Sequence, residues 1–159
     1  MVMNVKAAGR VTRLVYGGEE LLIGASDGIA VIANAQDVFS GGIDETFAKR
    51  TLMDRSLASD ETALSLHQVL GGHGFATIFT DINYDLDELV LSQAQIIRFC
   101  EKYSDSLAQY PGGINFLSRD VSHYLAITVV VKTAGPAITL KPFWQSSPCK
   151  GFCCVPSKK

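Results

Sequence analysis

The chain has 159 residues, of which 47% are apolar and 19% charged, with a formal net charge of −2. This length suits one domain with a sizeable core, and a near-neutral chain without a lysine and arginine cluster gives no reason to expect nucleic acid as a partner. The longest apolar run, Tyr124–Val131, is too short to span a bilayer, and the first residues lack a secretory signal, so the sequence predicts a cytoplasmic protein with no membrane partner.

The first third of the chain is predicted to form an antiparallel β meander. Alternating side chains favour a strand over Lys6–Tyr16, Gly17-Gly18 suits a hairpin turn, and Glu20–Ala25 would return as a second strand. Ser26-Asp27-Gly28 predicts another turn because aspartate and glycine tolerate positive φ. Ile29–Ala33 would then be a third strand.

The middle of the chain has weaker patterns. Ile43–Arg50 predicts a short helix, with acidic residues at its start and basic residues at its end. Glu61–Leu70 fits a strand or a helix, and we interpret it as a strand. Gly71–Gly74 reads as a loop, and Phe75–Ile82 stays open because helical spacing meets a β-branched composition.

The clearest element is an amphipathic helix over residues 92–109. Ser92 and Gln95 have the spacing of a capping box, and Pro111-Gly112-Gly113 ends the helix. Its apolar stripe consists of Ile96, Phe99, Cys100, Tyr103 and Leu107. A helix with one apolar face must bury it, and a sheet is the expected partner.

The remaining chain returns to strand patterns. Ile114–Leu117, Ser122–Lys132 and Ala137–Trp144 predict three strands separated by turns. The predicted fold is α+β, with antiparallel β meanders at both ends of the chain packed on the main helix. Residues 1–144 would form one domain, and residues 145–159 a cysteine-containing C-terminal tail.

Several segments together resemble a group of small bacterial proteins of unknown function that occur in genomic and mobile-element sequence. The resemblance is carried by Ser26-Asp27-Gly28, Asp37-Val38-Phe39, Gly42-Ile43-Asp44 and Leu91–Tyr103, followed by a β meander, and it covers roughly Leu21–Val131. These motifs are structural rather than chemical. The resemblance therefore implies a bacterial protein but no activity, cofactor or site residue.

The loops between residues 71 and 88 hold the best candidates for a ligand site, namely His73, Asp81 and Asp85. The run Asp81–Asp87 places oxygen side chains at alternate positions, as in the first half of a calcium loop, but the glycine and glutamate of the second half are missing. Acidic residues in solvent before a helix explain the run equally well. Likewise, Gly71–Gly74 could approach a phosphate or simply form a flexible turn.

Histidine and cysteine offer two further hypotheses. His67, His73 and His123 could join Cys100 or an aspartate in a catalytic group, although no spacing enforces it and catalytic residues stay unknown. Cys149, Cys153 and Cys154 crowd the tail without the paired spacing of a zinc site, so we predict no metal. They could also be redox-labile or incidental thiols.

No cofactor motif is intact, and whether the chain is an enzyme stays open. The apolar composition favours a non-enzymatic interaction or accessory module that binds a protein partner or self-associates. The alternative is a small-molecule-binding protein or a small enzyme with a site near residues 71–88. The aromatic residues Tyr16, Tyr124, Phe143 and Trp144 could line a pocket or an interface, but strand-end aromatics more often belong to the core or its rim.

Overall fold

The computed structural model describes residues 11–16, 21–49, 58–120, 123–145 and 148–157. Within these ranges the fold is α+β, with one mixed sheet of eight strands. The strands are β1 Thr12–Tyr16, β2 Leu22–Ile23, β3 Gly42–Ile43, β4 Thr62–Val69, β5 Ile114–Arg119, β6 Tyr124–Lys132, β7 Gly135–Pro142 and β8 Phe152–Pro156. The α-helices are α1 Thr46–Lys49, α2 Phe75–Ile82 and α3 Gln93–Lys102, and short 3-10 helices cover Ile32–Asn34, Leu86–Leu89 and Ser104–Gln109.

The strand order is β1-β4-β8-β5-β6-β7-β3, and β2 also pairs with β4. β1 and β2 therefore lie one after the other along the same side of β4, because β8 occupies its other side. This pairing corrects the predicted N-terminal meander, in which the first strands would have paired with each other. The predicted turn at Gly17-Gly18 lies outside the described residues.

The segment Ile29–Ala33 is not the strand that its sequence predicts. The amide of Ile32 donates to the Gln93 side chain on α3, 2.9 Å away, and the chain then enters a 3-10 turn. A hydrogen bond to a residue far along the sequence thus replaces the pairing of a local hairpin. The strand interpretation of Glu61–Leu70 is confirmed by β4, and Phe75–Ile82, left open above, is the helix α2.

The second meander is confirmed, because β5, β6 and β7 pair antiparallel in chain order. The prediction that the chain ends in a tail outside the domain is wrong for Phe152–Pro156. These residues form β8, which lies between β4 and β5, antiparallel to the first and parallel to the second. Asn115 on β5 fastens β8, since its amide donates to the carbonyls of Lys150 and Phe152, each 2.9 Å away.

Helix α3 has the predicted capping box, with Ser92 Oγ accepting from the amide of Gln95 and the Gln95 side chain accepting from the amide of Ser92. The α-helix ends at Lys102 and continues as the 3-10 helix Ser104–Gln109, so it is shorter than predicted. Ser104 and Asp105 follow Tyr103, and serine and aspartate are weak helix formers because their side chains can hydrogen-bond to the backbone in non-helical conformations.

The core consists of two clusters, and consecutive strand residues alternate between them. Phe116 belongs to the cluster that contains the apolar face of α3, whereas Leu117 belongs to the cluster that contains α2. The same alternation separates Cys154 from Cys153 on β8. Since successive side chains of a strand point to opposite faces, the two clusters cover the two faces of the sheet. None of the helices in the described ranges is long and apolar enough to cross a membrane.

Candidate functional site

The three residues predicted to bind a ligand lie apart along one exposed stretch. His73 precedes α2 and bridges through its backbone to Cys149, whose amide donates to the His73 carbonyl at 2.7 Å. Asp81 is near the other end of α2 and accepts from the hydroxyl of Thr12 at 2.8 Å. At a rise of 1.5 Å per residue, α2 separates the two by roughly 10 Å. Asp85 accepts from the amide of Asp87 at the start of a 3-10 helix.

The residues that the calcium and histidine hypotheses group together are also apart in the structure. Within the run 81–87 the carboxylates of Asp81, Asp85 and Asp87 have different partners, and Asp87 accepts from Arg119 and Tyr124. Among the described residues no three histidine, cysteine or acidic side chains are grouped as metal ligands would be. His67 on β4 and His123 beside β6 are three strands apart, about 14 Å at the usual strand spacing.

The four cysteines are all buried and are divided between the two faces of the sheet. Cys100 and Cys154 lie in the cluster beside α3, and Cys149 and Cys153 lie in the cluster beside α2. The three thiols of the C-terminal segment therefore do not converge on one point. This geometry argues against the zinc hypothesis, which needed them as ligands of one ion.

A cleft of about 320 Å³ where β6 begins and β7 ends has the form of a binding site. Its side chains are mostly apolar or aromatic, as small-molecule sites are. Trp144 stands at the rim with 70% of its surface exposed, while Phe143 beneath it is buried. The lining residues are Thr46, His123, Tyr124, Leu125, Leu140, Lys141, Pro142, Phe143 and Trp144.

An aromatic cluster forms the cleft wall. The rings of Phe143 and Trp144 meet edge to face with centroids 5.0 Å apart, and the ring of Tyr124 lies 5.6 Å from that of Phe143. Phe79 of α2 supports Phe143 from the core, at 6.3 Å. Such tilted and edge contacts hold ring orientations, because the positive edge of one ring faces the negative face of the next.

Tyr124 is also held from outside the cleft. Its hydroxyl donates to Asp87 Oδ1 at 2.6 Å, and Arg119 donates to the same oxygen at 2.8 Å while its guanidinium stacks 5.0 Å from the tyrosine ring. The hydrogen bond from Tyr124, assisted by the charge of Arg119, lowers the pKa of Asp87 below its ordinary value. The same bond raises the pKa of Tyr124. The tyrosine therefore enters the cleft wall as a neutral, oriented ring.

The opposite wall depends on Asp44. Its carboxylate accepts from the amide of Thr46 at 3.1 Å and from the amide of Leu140 at 3.2 Å, which ties the start of α1 to β7. Partial burial opposes the charge on Asp44, but these two hydrogen bonds outweigh it and lower its pKa. Thr46 and Leu140 are thus fixed relative to each other on the cleft wall.

The residues that line the cleft include one lysine. Lys141 is half-buried in the lining, and no aspartate or glutamate is among the lining residues. His123 lines the cleft beside Tyr124 and lies against Asp120, whose Oδ1 accepts from the His123 backbone amide at 2.7 Å and is 3.8 Å from His123 Nδ1. The cleft can therefore stack a planar group on Trp144 and place a negative charge near Lys141.

The sequence contained one signal for this cleft. A hairpin turning at Thr133-Ala134 pairs Leu125 with Pro142, which brings Tyr124 level with Phe143 at the open end of the hairpin. The aromatic set proposed from the sequence is thus brought together at Tyr124, Phe143 and Trp144, and the side chain of Tyr16 lies outside the described part. Asp87 and Arg119 were missed, because their contacts join segments far apart in the chain.

Comparison with family models, curated proteins and solved structures finds no match for this chain.

Proposed function

We propose that this protein is a non-catalytic binding module whose cleft holds a small planar anion. One observation carries the proposal: the chain's single tryptophan is 70% exposed at a cleft whose other lining residues include Tyr124, Phe143 and Lys141. An exposed tryptophan gives a large contact area to a flat ligand. The sequence favoured a non-enzymatic interaction or accessory module, and this proposal adds the class of ligand that it would bind. The cleft is also connected to residues 71–88, because Tyr124 of its wall donates a hydrogen bond to Asp87.

Lys141 is the reason why we expect the ligand to be an anion. Lys141 is a half-buried residue of the lining, and a carboxylate bound in the cleft would be less screened than one in open solvent. A hydrogen bond to a charged group contributes roughly 1.5–3 kcal/mol. We therefore expect an aromatic acid to bind at least about tenfold more tightly than its neutral amide, which corresponds to about 1.4 kcal/mol.

The test uses 1-naphthoate and 1-naphthamide, with the fluorescence of Trp144 as the signal. Naphthoate should change the fluorescence saturably and more tightly than the amide. Lys141→Met should weaken naphthoate about tenfold and leave the amide unchanged. Lys132→Met is the matched control, because Lys132 is an exposed lysine outside the cleft lining.

A second pair of variants tests the aromatic contribution by calorimetry, which does not depend on fluorescence. Trp144→Ala should abolish measurable naphthoate binding. Tyr84→Ala is the control and should leave binding unchanged, because Tyr84 is also an exposed aromatic residue, at 90%, but does not line the cleft. Equal binding of the acid and the amide, or normal binding to Trp144→Ala, would refute the proposal.

Self-association is the second candidate function, and β1 is the observation that favours it. The order of the described strands ends at β1, and its residues Leu14 and Val15 are 57% and 37% exposed. An edge strand with apolar side chains can pair with the same strand of a second copy. Native mass spectrometry should then show a dimer that Leu14→Lys converts to a monomer, and a monomeric parent protein would exclude this candidate.

A further inference from the structure

A groove of about 410 Å³ lies between the segment 29–38 and α3, and it shares no lining residue with the cleft at Trp144. Its buried lining residues Ala35 and Ile97 form an apolar floor. At its rim Ile29 is 68% exposed, more than any other leucine, isoleucine or valine that the structure describes. Apolar surface left in solvent beside a concave surface is typical of a site that another molecule covers.

Hydrogen bonds hold the wall that carries Ile29. The amide of Ile29 donates to Asp27 Oδ1 at 3.0 Å. Three residues later, the amide of Ile32 donates to the side chain of the buried Gln93 on α3 at 2.9 Å. Because these bonds already fix the backbone beside the groove, a bound molecule would not have to order it, and less binding free energy would be lost.

The charged residues that line the groove are acidic. Asp37 comes from one wall and Glu101 from the other, and both residues are exposed. None of the described lining residues is a lysine, arginine or histidine. Arg98 and Lys102, the cations of α3, lie outside the lining, and Lys102 donates to the carbonyl of Leu22 at 2.6 Å. The groove therefore complements a cation that stands next to an apolar group.

We propose that the groove binds a short segment of a partner protein in which lysine or arginine flanks an aliphatic side chain. The aliphatic side chain packs on the floor and against Ile29, which removes apolar surface of both molecules from water. The neighbouring cation lies beside Asp37 or Glu101, where opposite charges favour this partner and disfavour an acidic one. A small ligand confined to the groove would leave most of Ile29 in solvent, whereas a peptide chain that continues past the rim covers it.

The probe is the peptide acetyl-Lys-Leu-Lys-amide, added to the isotope-labelled intact chain and followed by amide NMR. We expect saturable shifts of the amides that line the groove, including those of Ile29, Asp37 and Glu101. Acetyl-Glu-Leu-Glu-amide should not bind, because its charges repel those of the groove. Acetyl-Lys-Gly-Lys-amide, which lacks the aliphatic side chain, should bind at least about fivefold more weakly than the first peptide. Raising the salt concentration to about 0.5 M should also weaken the first peptide, since salt screens exposed charges.

A matched pair of variants tests the apolar contact. Ile29→Ser should weaken binding of acetyl-Lys-Leu-Lys-amide about fivefold. Leu70→Ser is the control and should leave the affinity unchanged, because Leu70 is also an exposed aliphatic residue, at 50%, but does not line the groove. Both side chains are exposed, so both variants should fold, and their amide spectra without peptide check this directly.

A second pair tests the charge. Glu101→Gln should weaken the same peptide about threefold. Asp105→Asn is its control, because Asp105 is an exposed acidic residue just after α3 and outside the lining. Equal binding of the acidic peptide, shifts centred outside the groove, unchanged affinity of Ile29→Ser, or no saturable shift with millimolar acetyl-Lys-Leu-Lys-amide would each overturn the proposal.

Discussion

Replacement of Asn115 by alanine should destabilise the protein through the attachment of β8. The side chain is buried, donates to the carbonyls of Lys150 and Phe152, and accepts at Oδ1 from the hydroxyl of Thr128, 2.7 Å away. Each of these three hydrogen bonds contributes about 1 kcal/mol net. Asn115→Ala should therefore lower the free energy of unfolding by about 3 kcal/mol.

Urea unfolding measured by far-UV circular dichroism gives this free energy directly. Asn34→Ala is the matched control, since Asn34 is exposed and its loss should cost less than about 0.5 kcal/mol. A double-mutant cycle with Thr128→Val isolates one bond and should show a coupling of about 1 kcal/mol. Destabilisation by Asn115→Ala of less than about 1 kcal/mol would refute the argument, because it would leave no room for three effective hydrogen bonds.

Three further changes test other parts of the structure. Ser92→Ala removes the capping hydroxyl of α3 and should cost about 1 kcal/mol in urea unfolding, and an unchanged midpoint would contradict the cap. Gly151→Ala should cost about 2 kcal/mol or more through its positive φ and close backbone contacts, whereas Gly24→Ala, with open space around it, should cost much less. Tyr124→Phe should raise the pKa of Asp87 in a carboxyl NMR titration, so that the folded state loses less stability as the pH falls through that range; an unmoved titration would contradict the hydrogen bond.

Local patterns predicted those elements whose partners are near in sequence. The capping box of α3 and the hairpins of β5–β7 follow from residues within one element or across one turn. The apolar run of β8, Phe152–Val155, lies between Gly151 and Pro156 and is compatible with a buried strand. Its position between β4 and β5, however, depends on pairings with residues far back in the chain.

In the candidate site, too, the contacts between residues paired across one hairpin could be predicted from the sequence, and the long-range contacts could not. Hairpin register could place Tyr124 beside Phe143, and an exposed tryptophan one residue later follows from the same alignment. The contacts of Asp87 with Arg119 and Tyr124 cross more than one element and have no signature in the sequence. The predicted ligand residues His73 and Asp81 were grouped by closeness in sequence, which a helix between them converts into distance in space.

The position of β8 has a consequence for synthesis on the ribosome. Among the described strands, β8 alone joins β1, β2 and β4 to the sheet formed by β5, β6, β7 and β3, so the complete sheet cannot form until residue 156 has left the exit tunnel. At ordinary elongation rates β4 waits several seconds for this partner, with one side unpaired. The β5–β7 meander, in contrast, can form from contiguous chain. Nascent chains arrested before β8 should therefore expose β4 to chaperones or aggregation, and chains arrested on an added C-terminal linker that places residue 156 outside the tunnel should not.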